Sequence, residues 1–543
     1  MTQTGGQALV AQLEREGVRD LFALPGVQLD WAFAALAERE QALRVLVPRH
    51  EQAVTYMADG YARTSNKVGV GMVVPGPGVL NALSGVATAY ACSSRMVLLA
   101  GQLPVARIGQ GHGLLHELPD QSGILQRLSK WHALAREPGE VPALLSEAFV
   151  QACSGRPRPT VLELPQDVLQ RQADAAPCTP ATPRIVAPSH KDLDRAVQIL
   201  RDAAFPVLVA GGGVLASGAS AALTRLAERL GAPVLVTENG TGAMDSRHPL
   251  ALPWLGARAV LPHADAVLAV GTRYFESTGA PPATRPGVPV LMLNAETGNL
   301  EGDARLGLEA LESSLGAVQP TSGAQAVAKV RGWIAEQLKD IAPQCAWLAA
   351  LREAIPEDGI LVPDLTQVGY PSALAYPVYG PGTFLTPGYQ GTLGFAYPTA
   401  LGAAAANPGR AVVSVSGDGG FGWALQELAT AKRYRLGVCA VVFRDDAFGN
   451  VRLLLERQFG RAYCAELENP DFVKLAEAFG VRAERAADPA ALRGALRSAL
   501  AAREPALIEV PVGRFPSPWH LIRNSMAGGV KAPPNPLGDP RPA

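Results

Sequence analysis

The sequence predicts an α/β chain of three consecutive doubly wound domains with central parallel sheets, and three observations carry that prediction. Short β-branched runs alternate with helical patterns along the chain, as expected for parallel sheets flanked by helices. The alternation restarts twice, which divides 543 residues into units of about 150–200, roughly what one core supports. A pair of apolar runs near the C-terminal end is joined by a single helical pattern, the mark of a βαβ crossover.

In order, residues 1–170 form the first predicted unit. Residues 171–190 (RQADAAPCTPATPRIVAPSH) are rich in Pro and Ala, lack periodicity and read as a linker. A middle domain over 191–335 contains FPVLVAGGG, APVLVTENG and ADAVLAVGTR as strands. A less distinct boundary follows, and a third domain over 343–523 has GILVPDLTQ near its start. The last stretch, 524–543, carries several Pro and Gly and reads as a tail or a flap.

Composition narrows the function classes. Charged residues make up 18% and hydrophobic residues 48%, and the formal net charge is -1. These are values of a soluble globular protein, with no electrostatic footprint for nucleic acid. The stretch MTQTGGQALVAQLEREGV lacks the pattern of a signal peptide, and no apolar run is long enough to span a membrane. A cytoplasmic enzyme is therefore expected. Cys92, Cys153, Cys178, Cys345, Cys439 and Cys464 show no CxxC pairing, which signals neither a zinc site nor a disulfide framework and predicts buried thiols.

The chemistry concentrates in VSVSGDGGFGWALQELATAKRYRLGVCAVVFRDDAFGN (Val413–Asn450). AVVSVS reads as a buried strand, WALQELATAKRY as an amphipathic helix and VCAVVF as the next strand. A right-handed crossover makes the strands parallel and brings Asp418 and Asp445 to one carboxyl-terminal edge. Gly417, Gly419 and Gly420 allow close backbone approach, and a helix N-terminus favours an anion. Carboxylates beside a phosphate repel it unless a cation lies between, and Mg²⁺ shared with phosphate oxygens meets that need. The plain alternative is a Gly/Asp turn followed by a surface Asp-Asp pair.

GDG followed downstream by an acidic or amide residue resembles the signature of thiamine diphosphate (ThDP) enzymes. The likeness runs along nearly the whole chain, toward the acetolactate synthase, benzoylformate decarboxylase and benzaldehyde lyase branch. It implies Asp418, Asp445 and the main-chain carbonyl of Ala447 as Mg²⁺ ligands, with Phe448 and Gly449 beside the cofactor. Many relatives have Asn-Asn where this chain has Arg444-Asp445. PRHEQAVTYMADGYAR (Pro48–Arg63) resembles the family motif whose glutamate here is Glu51. A carboxyl sharing a proton with the aminopyrimidine ring promotes loss of the thiazolium C2 proton. The resemblance further implies Leu393, in Gly391-Thr392-Leu393-Gly394-Phe395, as the prop that bends the cofactor, and the Gly391 carbonyl as its amino-group partner. Thr366 and Gln367 align with a loop near the diphosphate. Glu51 and the diphosphate site come from different subunits in the family, which implies a homodimer at minimum and commonly a homotetramer.

For the substrate pocket, the resemblance points to Val27 and Gln28 in FALPGVQ, to Leu115 and His116 in GQGHGLLHELPDQ, and to Leu454 and Leu455 in GNVRLLLERQF. A histidine can move protons near neutral pH, so His116, then His112, is the expected acid–base group. RYFESTG (Arg273–Gly279) departs from the flavin-associated motif of acetolactate synthases, so FAD is not expected. LNAETGN (Leu293–Asn299) lacks an acidic D-x-D pattern, so neither ADP activation nor acyl-CoA binding is implied. The expected function is a ThDP- and Mg²⁺-dependent 2-oxo acid decarboxylase/carboligase acting through a C2-carbanion/enamine intermediate, with an aldehyde or ketone as acceptor. A 2-hydroxyketone or 2-hydroxyacyl-CoA lyase and a non-catalytic ThDP-binding relative are the alternatives.

Overall fold

A computed structural model describes residues 2–275, 281–523 and 533–540. Three all-parallel sheets follow one another along the chain. The first has the order Arg44–Leu46, Asp20–Ala23, Gly69–Val73, Met96–Gln102, Thr160–Pro165, Trp131–Leu134. The second runs Ala251–Pro253, Val234–Val236, Pro206–Ala210, Ala266–Val270, Val290–Asn294, Leu300–Glu301. The third runs Ile360–Pro363, Val412–Gly417, Val438–Arg444, Ala506–Pro511, Arg482–Arg485. Their central strands are rich in Val, Leu, Ile and Ala and almost wholly buried, because helices cover both faces.

The first and third domains share one core. Helix Glu51–Ser65 packs along helix Ala396–Ala406. Gly60 and Gly402 permit the approach: a Cβ on Gly60 would sit 2.0 Å from the Thr399 carbonyl oxygen, and one on Gly402 1.9 Å from that of Met57. Tyr56 and Phe395 meet edge to face at 5.8 Å. Nearly every residue of helix Ala396–Ala406 is buried, so its sequence, AYPTALGAAAA, is apolar all round.

Three local readings differ from the structure. The linker is not wholly irregular, because Gln172–Asp174 pairs antiparallel with Thr2–Thr4. WALQELATAKRY is not one helix: a short turn at Asp418–Phe421 and a 3-10 turn at Leu425–Glu427 precede helix Leu428–Tyr434. The glycine-rich GDGGFG forms a single helical turn, Asp418–Phe421, which ends at Gly422, glycine being a poor helix former. Of the six thiols, Cys439 is buried, Cys464 is exposed and the others are half-buried.

Part of the tail lies outside the described residues. The described stretch 533–540 packs on the middle domain: Asn535 donates to the Ala259 carbonyl at 3.1 Å, and Leu537 packs on the adjoining core. Among the described residues no helix is long and apolar enough to cross a membrane.

Candidate active site

Strands Val412–Gly417 and Val438–Arg444 are adjacent and in register from Val412↔Val438 to Gly417↔Phe443. Asp418 and Asp445 therefore leave the same sheet edge. Asp418 is nearly fully buried. Its Oδ1 accepts the Gly419 N–H at 2.9 Å, and its Oδ2 accepts the Asp446 N–H at 2.7 Å and the Asn469 amide at 2.8 Å. Burial raises its proton affinity, offset in part by these donors. The Asp445 carboxylate accepts from Gln367 Nε2 at 2.8 Å and pairs with Arg452 at 3.2 Å. Burial first, and the Asp418 charge second, push its pKa up to about 6. Asp445 carries its charge at a cost beside Asp418, as Asp418 does beside Asp446, and a cation at this edge would offset both.

The backbone around the pair leaves room that side chains would fill. A Cβ on Gly419 would lie 2.8 Å from the Phe448 ring, one on Gly449 2.6 Å from Asp445 Oδ2, and one on Gly420 3.1 Å from Asp364 Oδ2. Asp364, fully buried and pushed up to about 7 by burial, accepts from Ser416 Oγ and from the Ala396 N–H, each at 2.9 Å. It thereby fixes the start of the helix behind Gly394-Phe395. The Thr366 hydroxyl accepts the Gly369 N–H at 2.9 Å and shapes the neighbouring turn. Ala447 is buried and bridges to Glu466, and Phe448 donates its N–H to the Ala465 carbonyl at 2.7 Å. A divalent cation held by Asp418, Asp445 and the Ala447 carbonyl, with a diphosphate on the glycine backbone, fits this arrangement.

Gly391 has φ +57° and Gly394 φ +78°, and a Cβ on Gly394 would sit 2.7 Å from the Trp423 Cβ. Thr392 between them accepts from Tyr56 Oη at 2.9 Å and meets the Thr88 hydroxyl at 3.2 Å, which ties this segment to the first domain. Leu393 is left 41% exposed.

Glu51 is the first residue of helix Glu51–Ser65, and its Oε2 accepts from Asn81 at 3.0 Å. Its flanks are fastened to the third domain. The Arg49 N–H donates to both Glu427 oxygens at 3.1 Å, and Gln52 Nε2 donates to the Trp423 carbonyl at 2.7 Å.

Val27, Gln28, Leu115 and His116 come together. His116 Nδ1 lies 3.0 Å from Gln28 Oε1, and Gln28 Nε2 donates to the Leu115 carbonyl at 3.2 Å. His116 has a left-handed φ of +68°. Glu117 closes the loop by accepting the N–H groups of Gly111 and Leu114 at 2.9 Å, which hold its carboxyl below the usual range. His112 is exposed on this loop. Leu454 and the half-buried Leu455 lie on helix Gly449–Phe459, none of whose residues is buried. Asn81, Arg452, Asn469 and Glu427 take part in the site without any motif signal in the sequence. The three domains also line an open cleft of about 1040 Å³ bordered by Arg156, Gly212, Arg273, Tyr389 and Arg523.

Comparison with known proteins agrees with this geometry. Residues 3–124 match the N-terminal TPP binding domain of thiamine pyrophosphate enzymes, 193–308 the central domain and 364–510 the C-terminal TPP binding domain. The chain is 32% identical to the probable acetolactate synthase large subunit of Methanocaldococcus jannaschii, over 94% of this chain and 92% of that one. It is 32% identical to the acetolactate synthase isozyme 3 large subunit of Escherichia coli, over 92% of each. A probable 2-ketoarginine decarboxylase of Pseudomonas aeruginosa is also 32% identical, over 94% of each chain. With its three sheets in sequence and its acidic pair at the edge of the third, the chain belongs to the thiamine pyrophosphate enzyme family.

Proposed function

We propose that this chain is a ThDP- and Mg²⁺-dependent 2-oxo acid decarboxylase/carboligase of the acetolactate synthase type. The observation that carries the metal and cofactor assignment is the Asp418–Asp445 pair, two carboxylates leaving one sheet edge among glycines that keep the backbone open. The relatives named acetolactate synthase support the reaction class. Bound ThDP supplies a carbon that adds to a carbonyl and an electron sink for the bond that breaks.

The chain's own residues bind and move protons around that group. Asp418, Asp445 and the Ala447 carbonyl would hold Mg²⁺, with Asp445 oriented by Arg452 and Gln367. Asn81 anchors Glu51 by Oε2. Oε1, without a hydrogen-bond partner among the described residues, exchanges a proton with the aminopyrimidine ring. Leu393 props the cofactor, and His116, held by Gln28, exchanges protons with substrate. The exposed apolar side chains of Val27, Leu80, Leu115, Leu393, Trp423 and Leu454 are covered by a second subunit, so the working unit is at least a homodimer. A flavin requirement is not expected, because RYFESTG departs from the flavin-associated motif; Glu276–Gly279 of that segment lie outside the described residues.

The deciding experiment is a panel of 2-oxo acids, including one with a guanidino side chain, scored for CO₂ and for ligated product. Carbon dioxide with a 2-hydroxy-2-oxoalkyl product supports carboligation. Cleavage of 2-hydroxyketones without CO₂ would replace it with a lyase. Mixing inactive Glu51→Gln and Asp418→Ala subunits should restore part of the activity, and failure to do so rejects a site shared between subunits. A yellow protein whose turnover needs FAD would overturn the flavin expectation.

A further inference from the structure

Beneath the loop that carries His116 lies a carboxylate with no solvent exposure, Glu163 on strand Thr160–Pro165. Four side chains converge on it. Gln102 Nε2 donates to Oε1 at 3.0 Å and Gln121 Nε2 to the same oxygen at 2.7 Å. Ser122 Oγ donates to Oε2, and His132 Nε2 lies 2.9 Å from Oε2. A buried charge requires such a shell, since an unpaired one is costly. The proposed reaction uses none of these groups.

The shell has a direction. A carboxylate only accepts, so Gln121 must turn its NH₂ toward Glu163. That NH₂ also donates to the Gly101 carbonyl at 2.9 Å. The amide oxygen is thereby left to face the opposite way, where it accepts the Gly76 N–H at 2.8 Å. Gly76 has φ +62°, and a Cβ on it would sit 2.5 Å from the His116 carbonyl oxygen. It also caps helix Pro77–Cys92, which carries Asn81, the partner of Glu51.

We infer that Glu163 and Gln121 are a positioning pair whose hydrogen-bond polarity holds Gly76 against the His116 backbone and so sets where the His116 ring stands. The catalytic consequence rests on the proposed role of His116. The mechanical part, the hold on the loop, does not. In Glu163→Gln the new amide can donate, so only the Gly101 carbonyl still holds the Gln121 NH₂; in the rotated state Gln121 gives up that bond, points its oxygen at residue 163 and presents NH₂ to the Gly76 N–H. Two donors then face each other and Gly76 is released.

The test uses the ThDP/Mg²⁺-loaded full chain with the best 2-oxo acid from the panel. Hydrogen exchange in peptides spanning 109–121 should speed about tenfold in Glu163→Gln, as for loss of one buried hydrogen bond. Turnover should fall roughly 10- to 100-fold, the scale of a misplacement on the order of 1 Å. In a His116→Ala background the same substitution should cost much less, because its effect passes mainly through His116, the remainder reaching Glu51 through the helix that Gly76 caps. Should Glu163→Gln not fold, Gln121→Met carries the same expectations while Glu163 keeps Gln102, Ser122 and His132. Unchanged exchange in the loop, or an equal loss of turnover with and without His116, overturns the inference. Faster exchange combined with full activity of His116→Ala leaves the positioning pair standing and removes only the catalytic role of His116.

Discussion

Replacing Glu427 by Gln should stabilise the protein, and increasingly so as pH rises from about 4.5 to about 7. Glu427 is fully buried. Its oxygens accept the Arg49 N–H at 3.1 Å, and Thr430 Oγ1 donates to Oε2 at 2.6 Å. Burial pushes its pKa from 4.5 up to about 7, against the opposing pull of Thr430 and the backbone N–H groups of Arg49 and His50. Between those two values the folded chain holds a proton that the unfolded chain has released. Stability from this group is therefore complete below pH 4.5 and lost as pH climbs through 7. Each tenfold change in proton affinity is worth about 1.4 kcal/mol, so the cost of carrying the charge at pH 8 is on the order of 3 kcal/mol. Glutamine avoids the charge, keeps one oxygen for the Arg49 N–H and lets Thr430 accept in turn, but gives up the second acceptor of that N–H, a pH-independent loss that leaves the rise of the difference with pH intact. The assay is paired urea and thermal unfolding of wild type and Glu427→Gln from pH 4.5 to 8.5. The measured quantity is their difference, in the transition that separates the first and third domains, because a three-domain chain need not unfold in one step. A difference that is flat with pH, or that favours wild type as pH rises, refutes the reasoning.

Glu51→Gln should retain the fold and most ThDP affinity while slowing exchange of the cofactor C2 proton by roughly 10²- to 10⁴-fold, the scale of one positioned acid–base group; wild-type exchange rates would remove Glu51 from that role. Asp418→Ala and Asp445→Ala should each weaken Mg²⁺ and ThDP binding together in calorimetric titrations, since the ion bridges protein and diphosphate. Unchanged affinity in both would reject the ligand assignment. His116→Ala should leave ThDP binding and C2 exchange nearly intact and lower turnover by about 10²- to 10⁴-fold, and turnover within a few-fold of wild type would make His116 structural.

The parallel sheets were legible because buried parallel strands read as unbroken apolar runs, and FPVLVAGGG, ADAVLAVGTR and VCAVVF carry that pattern undiluted. The acidic pair was legible for a related reason, since a right-handed crossover leaves two consecutive strand ends on the same edge. WALQELATAKRY was misread because its apolar spacing is helical throughout. Helical spacing does not show that the chain passes from the helical turn Asp418–Phe421 through turns at 422–424, where Trp423 is exposed, before the helix starts.

Glu427, Asn469, Gln121 and Glu163 were not legible, and for a physical reason. A buried polar residue is explained by its partners, and these lie 378 positions away for Glu427 with Arg49, 51 for Asn469 with Asp418, 45 for Gln121 with Gly76 and 42 for Glu163 with Gln121. No periodicity links such positions. In TVLELP and ALQELATA the lone glutamate breaks an apolar pattern, and a break alone does not tell a solvent-facing side chain from a paired one. Desolvation separates the two cases once the fold is known, because a carboxylate at 0% exposure is tolerated only where donors surround it. Both donor shells touch backbone next to a candidate catalytic side chain: Glu427 binds the Arg49 N–H two residues before Glu51, and Glu163 acts through Gln121 on the Gly76 N–H beside His116. The motifs name the groups that meet cofactor and substrate, and buried carboxylates far away in sequence decide where two of them stand.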